Sequence, residues 1–184
     1  MKQRIFLLTM LTALLGTMAN GQTKLIEKVT KTGDEIVIPY EKYQLDNGLT
    51  LIIHEDHSDP LVRVDVTYHV GSAREEIGKS GFAHFFEHLL FEGTKNIERG
   101  EWFKIVTSNG GTNNANTSDD RTYYYEIFPS NNLELGLWME SERLMHPIIN
   151  QIGVDTQNEV VKEEKRTSYD NRPYGNILAA VKEN

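Results

Sequence analysis

Gly81-Phe82-Ala83-His84-Phe85-Phe86-Glu87-His88-Leu89-Leu90-Phe91-Glu92-Gly93 is the stretch that decides how this chain is read. Phe82, Phe85, Phe86, Leu89 and Leu90 recur at i, i+3, i+4, i+7 and i+8, the apolar spacing of an amphipathic helix. Ser80 is its expected N-cap and Gly93 its expected stop. At about 100° per residue, His84, Glu87 and His88 fall on the opposite side, next to Phe91. His84 and His88 stand one turn apart, so two neutral imidazoles can grip one metal ion. Glu87 points into the same sector and can polarise a water at that ion without being a ligand. The order H-x-x-E-H reverses the commoner H-E-x-x-H zinc signature. A plain solvent face would carry Lys, Glu and Gln; a polar trio amid aromatics reads better as the wall of a cleft.

A catalytic zinc keeps three protein ligands and one open position. The chain has no cysteine, which leaves His, Asp and Glu as ligands and excludes disulfides. Candidates for the third ligand lie in Glu159-Val160-Val161-Lys162-Glu163-Glu164. A competing cluster, His54-Glu55-Asp56-His57, alternates across faces and precedes a turn signal, so it reads as a charged loop. His69 and His146 read as structural. The net charge of −8 comes with no basic stripe, which argues against a nucleic-acid partner.

Outward from the motif, strands and helices interleave. Asp46-Asn47-Gly48 between Tyr43-Gln44-Leu45 and Leu49 to Ile53 predicts a hairpin. Val62, Val64, Val66, Tyr68 and Val70 alternate with polar residues, the pattern of a half-buried strand. A short helix is expected through Trp102, Phe103 and Val106. A strand is expected over Thr122 to Phe128. Helices follow over Leu133 to Met145, about Asp155 to Tyr169, and again after Gly175. This predicts an α+β fold: a mostly antiparallel sheet with helices packed on one face.

Lys2 and Arg4 precede an apolar run ending in Ala19-Asn20-Gly21. This predicts a signal peptide over 1–21 and export to the periplasm or outside the cell. The run is shorter than the roughly 20 residues that span a bilayer, and no stable span is expected after cleavage. Residues 22–38 read as a charged, patternless leader, and 39–184 as a partial catalytic domain.

These residues resemble the pitrilysin (insulinase) family of zinc metallopeptidases, including its processing-peptidase branch. The resemblance extends over separated blocks in order: Leu45-Asp46-Asn47-Gly48-Leu49, Gly71-Ser72-Ala73-Arg74-Glu75-Glu76, the motif itself, Asn114-Ala115-Asn116-Thr117-Ser118, and Val160-Val161-Lys162-Glu163-Glu164. It implies that His84 and His88 are zinc ligands and Glu87 the general base. It implies Glu164 as third ligand, chosen over Glu163 by family spacing. Asn114 and Ala115 would lie on the strand edge that pairs with substrate backbone. An edge of small polar residues can take a peptide as an added strand. Gln157 stands where the family commonly has a glutamate behind the ligands, so an amide replaces a group that can share a proton.

The resemblance further implies one zinc per chain, a peptide substrate, and a second homologous domain or companion chain, since family members continue well beyond this length. The expected function is an exported zinc metalloendopeptidase acting on extended or unfolded peptides. The alternatives are a non-catalytic peptide-binding subunit of a two-chain peptidase, or an inactive truncated fragment.

Overall fold

A computed structural model describes residues 23–175 and 177, apart from 35 and 77. The expected signal peptide and most of the helix expected after Gly175 lie outside the described residues. Two compact units divide the chain between Asp59 and Pro60.

The first unit is an antiparallel sheet in the order β1-β2-β3: β1 Lys24–Val29, β2 Tyr40–Gln44 and β3 Thr50–Ile53. The β2–β3 hairpin turns at Asp46-Asn47-Gly48, as its sequence predicts. Gly48 takes φ 86, and its N–H donates to Leu45 O. The stretch expected as a leader contributes β1, paired along β2 with a bulge between Leu25 and Glu27. Main-chain ladder bonds need no apolar pattern, which is why a charged, alternating-free segment gave no strand signal.

The second unit carries the motif. Its sheet has the order β4-β6-β5: β4 Leu61–Tyr68, β5 Thr112–Thr117 and β6 Thr122–Pro129, all antiparallel. Among the described residues four α-helices accompany it: α1 Phe82–Leu89, α2 Trp102–Ser108, α3 Leu133–Met145 and α4 Gln151–Lys165. The strict alternation along β6 buries Thr122, Tyr124, Glu126 and Phe128 on one face. Phe128 joins Ile97, Trp102, Val106 and Met139 in the core. α3 comes close to the sheet because Gly136 has no Cβ; one built there would meet Val64 at 3.0 Å.

A buried cation lies against Phe91, just beyond the end of the motif helix. The Arg143 guanidinium sits 4.1–4.4 Å from the ring centroids of Phe91, Trp102 and Tyr124. It is bonded to Glu126 at 3.0 Å and to Glu140 at 3.1 Å. Two carboxylates and one guanidinium leave an excess negative charge in a dry site. Burial, and then the hydrogen bond with Glu140, pushes the Glu126 carboxyl up to about 9. A proton on Glu126 meets the need of two buried carboxylate oxygens, Glu126 Oε2 and Glu140 Oε1, that receive no other hydrogen bond. Burial likewise pushes the Tyr124 hydroxyl up.

Three local expectations are corrected. The N-cap of α1 is Gly81, at φ 101, not Ser80. The helix stops at Leu89 and tightens into i→i+3 turns through Glu92, before Gly93 is reached. α4 begins at Gln151 rather than Asp155, because the Asn150 side chain caps it by accepting from Gly153 N–H at 3.0 Å. Beyond Lys165 it widens into a π turn over Arg166–Asp170.

Candidate metal and peptide site

The phenylalanine face of α1 is not the one turned to the core. Phe82 and Phe86 are about half exposed, whereas Ala83 and Glu87 are buried. Of the polar trio Glu87 is buried and the His88 side chain nearly so, while the His84 side chain stays partly open. Phe82, Phe86 and Leu90 instead line a separate apolar groove with Tyr68 and Val70.

The start of α1 is fixed from outside the helix. Gly71 lies so close to the β5–β6 turn that a Cβ would stand 2.3 Å from Ser118 O. Ser72 and Ala73 N–H groups donate to Ser118 O and Asp119 O. This docking brings Glu75 to the helix end, where its carboxylate accepts from the N–H groups of Gly81 and Ala83, both at 2.7 Å. A carboxylate at the positive end of the helix satisfies two otherwise orphaned donors.

α1 and α4 then bring three donor atoms together. His84 Nε2 and His88 Nε2 lie 3.2 Å apart. Glu164 Oε2 is 3.5 Å from His84 Nε2 and 3.4 Å from His88 Nε2. Tetrahedral zinc with bonds near 2.05 Å sets its donor atoms about 3.3 Å from one another. The triangle has the size of one face of that tetrahedron, and its donor types suit zinc. Among the described residues this is the one such cluster of His, Asp or Glu. Glu163, the alternative, points away and pairs with Arg166 at 2.9 Å. The loop at His54 to His57 forms no such cluster; His54 Nδ1 contacts Pro39 O.

Glu87 is buried beside this triangle. Thr117, on β5, donates its hydroxyl to Glu87 Oε2 at 2.6 Å. That leaves Oε1 as the carboxylate's free acceptor. Behind the triangle, His88 Nδ1 lies 3.1 Å from Gln157 Oε1, and Gln157 Nε2 donates to Glu92 Oε1 at 2.5 Å. Arg99 closes the series on Glu92 Oε2. With Nδ1 carrying the proton, His88 Nε2 presents its lone pair to the triangle.

A cleft of about 450 Å³ opens over His84, Glu87, His88 and Glu164, walled by Phe91, Phe103 and β5 from Asn113 to Thr117. Among the described residues β5 pairs on one side only, with β6. Asn114 and Ala115 lie on this edge strand, and Ala115 N–H donates to Asn114 Oδ1 at 2.9 Å. The asparagine side chain thus covers an edge donor.

Sequence reasoning missed Thr117, Glu92, Arg99 and Glu75 as parts of the site's support. Glu92, Arg99 and Glu75 lie in turns without periodicity, and no spacing rule points from them to the helix they serve.

An H-x-x-E-H helix with a glutamate from a second helix, beside an open strand edge, defines a metallohydrolase-type site. The family described as Insulinase (Peptidase family M16) matches residues 50–183, and the chain belongs to this family of zinc metallopeptidases. It is 39% identical over 137 residues to zinc protease PqqE of Helicobacter pylori, covering 74% of this chain and 31% of that one. It is 27% identical over 149 residues to the insulin-degrading enzyme of Mus musculus, covering 80% of this chain and 15% of that one. A crystal structure of a protease from Helicobacter pylori superposes with a TM-score of 0.71 at 39% identity, over 74% of this chain and 33% of that chain. The chain thus spans about a third or less of the length of these relatives. No helix among the described residues is long and apolar enough to cross a membrane.

Proposed function

We propose that this chain is the metal-bearing part of a zinc metalloendopeptidase that hydrolyses peptides held in extended form. It would carry one zinc, on His84, His88 and Glu164. The observation that carries this reading is the donor triangle, 3.2–3.5 Å on each side, with Glu87 and an unpaired strand edge next to it. The N-terminal apolar run supports export, to the periplasm or outside the cell.

Zinc held by His84, His88 and Glu164 would supply a Lewis acid, which makes water nucleophilic near neutral pH. Glu87 Oε1 takes the proton from the attacking water and returns it to the leaving amine nitrogen. Thr117 holds the other oxygen, so the carboxylate does not turn away between the two transfers. β5 binds substrate by main-chain hydrogen bonds, with Asn114 and Ala115 at the pairing edge; Asn114 Oδ1 must release Ala115 N–H as the peptide strand arrives. Such pairing selects for an extended chain rather than a sequence. Phe91 and Phe103 offer the apolar wall against which a side chain packs. The much greater length of the relatives supports a second homologous domain or companion chain that closes the cleft.

The test is cleavage of an unstructured fluorogenic peptide, with and without a chelator, by the chain and by its Glu87→Gln variant. The chelator is expected to abolish cleavage. Glu87→Gln is expected to lose roughly 10²–10⁴ in rate while retaining zinc, the usual worth of a general base. Cleavage by Glu87→Gln at the parent rate refutes the assignment. Zinc bound without turnover, even with a companion chain added, points to a peptide-holding subunit instead.

A further inference from the structure

Glu92 is almost fully buried, and its hydrogen-bond partners lie outside the donor triangle. Its two oxygens have separate partners: Arg99 on Oε2 and Gln157 Nε2 on Oε1. It is also fitted closely against α4. A Cβ on Gly153 would meet Glu92 Cγ and Oε2 at 3.2 Å, so the helix leaves room for this side chain where any other residue would crowd it.

Gln157 has two ends of opposite character, and a half-turn of its amide exchanges them. A carboxylate paired with Arg99 only accepts. It therefore draws Nε2 toward itself and leaves Oε1 facing His88. Oε1 also only accepts, so the proton of the His88 ring must reside on Nδ1. His88 Nε2 is then bare, and it is the atom 3.2 Å from His84 Nε2 and 3.4 Å from Glu164 Oε2. Two hydrogen bonds transmit the charge of Glu92 to the ring nitrogen on the far side of an amide.

We propose that Glu92 is a positioning residue that locks His88 in the Nδ1–H form through Gln157. The carboxylate that orients the histidine stands one side chain further out than in a direct carboxylate–histidine pair, and Arg99 neutralises it there. This inference rests on the metal reading above for its consequence, but its cause is visible without metal.

The experiment uses three forms of the chain. In Glu92→Met the acceptor is lost while the buried volume is kept, so the Gln157 amide is free to turn. Nitrogen NMR of histidine-labelled, metal-free protein is expected to show His88 as the Nδ1–H tautomer in the parent and as a mixture in Glu92→Met. Zinc affinity, measured by competition with a chromophoric chelator, is expected to fall roughly 10- to 100-fold in Glu92→Met, as for other supports of metal ligands. The swap E92Q/Q157E moves the carboxylate next to His88 and the amide beside Arg99. It is expected to restore both the tautomer and parent-like affinity, and it carries the test if Glu92→Met does not fold. An unchanged tautomer in Glu92→Met, parent-like zinc affinity in Glu92→Met, or a swap that restores neither property overturns the proposal. If the parent binds no zinc, the metal reading fails, and the tautomer comparison still decides the role of Glu92.

Discussion

Thr117 makes the clearest single contact at the site, a 2.6 Å hydrogen bond to a buried carboxylate. A hydrogen bond to a charged group is worth about 1.5–3 kcal/mol. Thr117→Val keeps the shape and removes the donor. It is expected to lower peptide hydrolysis roughly 10- to 100-fold on that energy, with zinc content unchanged by elemental analysis. Glu126 makes a prediction about pH. Its folded carboxyl sits at about 9 against an ordinary 4.5, so between these values the folded state holds a proton that the unfolded chain has released. Raising the pH then favours unfolding: the contribution of Glu126 is full below pH 4.5 and is lost as pH rises through about 9. Glu126→Gln carries a permanent N–H in place of the acid O–H. Thermal melts across this range are expected to fall less steeply for Glu126→Gln than for the parent. Neither role was legible beforehand. Glu126 reads only as a polar position in a strong strand, and its meaning depends on Arg143 and Glu140 arriving from α3.

At the scale of the element, α1 is a helix of eight residues held by contacts from outside it. So short a helix is marginal alone. Its first turn is fixed by Glu75, which receives two main-chain bonds. Glu75→Ala is expected to destabilise the fold by about 1–2 kcal/mol, the range for losing a helix cap, measured by urea denaturation with the metal removed. A change below a few tenths would show that Gly81 alone suffices. The existence of α1, of the hairpin at Asp46-Asn47-Gly48, of β4, β6 and of α3 was legible, because each has a strong period or turn signal. The orientation of α1 was not. The i, i+3, i+4 series of apolar residues suggested a core face, and yet of that series only Leu89 is buried, together with Ala83 and Glu87. Periodicity marks two sides of a helix but cannot say which side finds a partner. β1 was missed for a related reason, since ladder hydrogen bonds leave no mark in side-chain pattern.

At the scale of the molecule, the site joins two helices that otherwise meet over a thin seam. α4 is exposed along most of its length; Gly153, Gln157 and Glu164 are among the positions that reach α1 and its following turn. A metal bound to His84, His88 and Glu164 would tie these helices, so it should stabilise the folded state by linkage. Zinc at a hundredfold excess over its dissociation constant is expected to add about 2.7 kcal/mol. Melts with zinc and with chelator check this, and Glu164→Ala should lose most of the difference. Equal melting with and without zinc in the parent would mean that the triangle does not hold the ion in the folded protein.

The residue types at the site were fixed by the primary structure alone. So were the spacing that sets His84 over His88, and the segment in which a third ligand would be found, because one helical turn is a local rule that needs no partner. The spacing of the resembling family already favoured Glu164 over Glu163; folding in space decided the rest: that the Glu164 carboxylate reaches both imidazoles, that Thr117 holds Glu87, that Glu92 reaches His88 through an amide. Those are contacts between segments up to dozens of residues apart, and no local dihedral preference encodes which side chains meet when helix packs on helix.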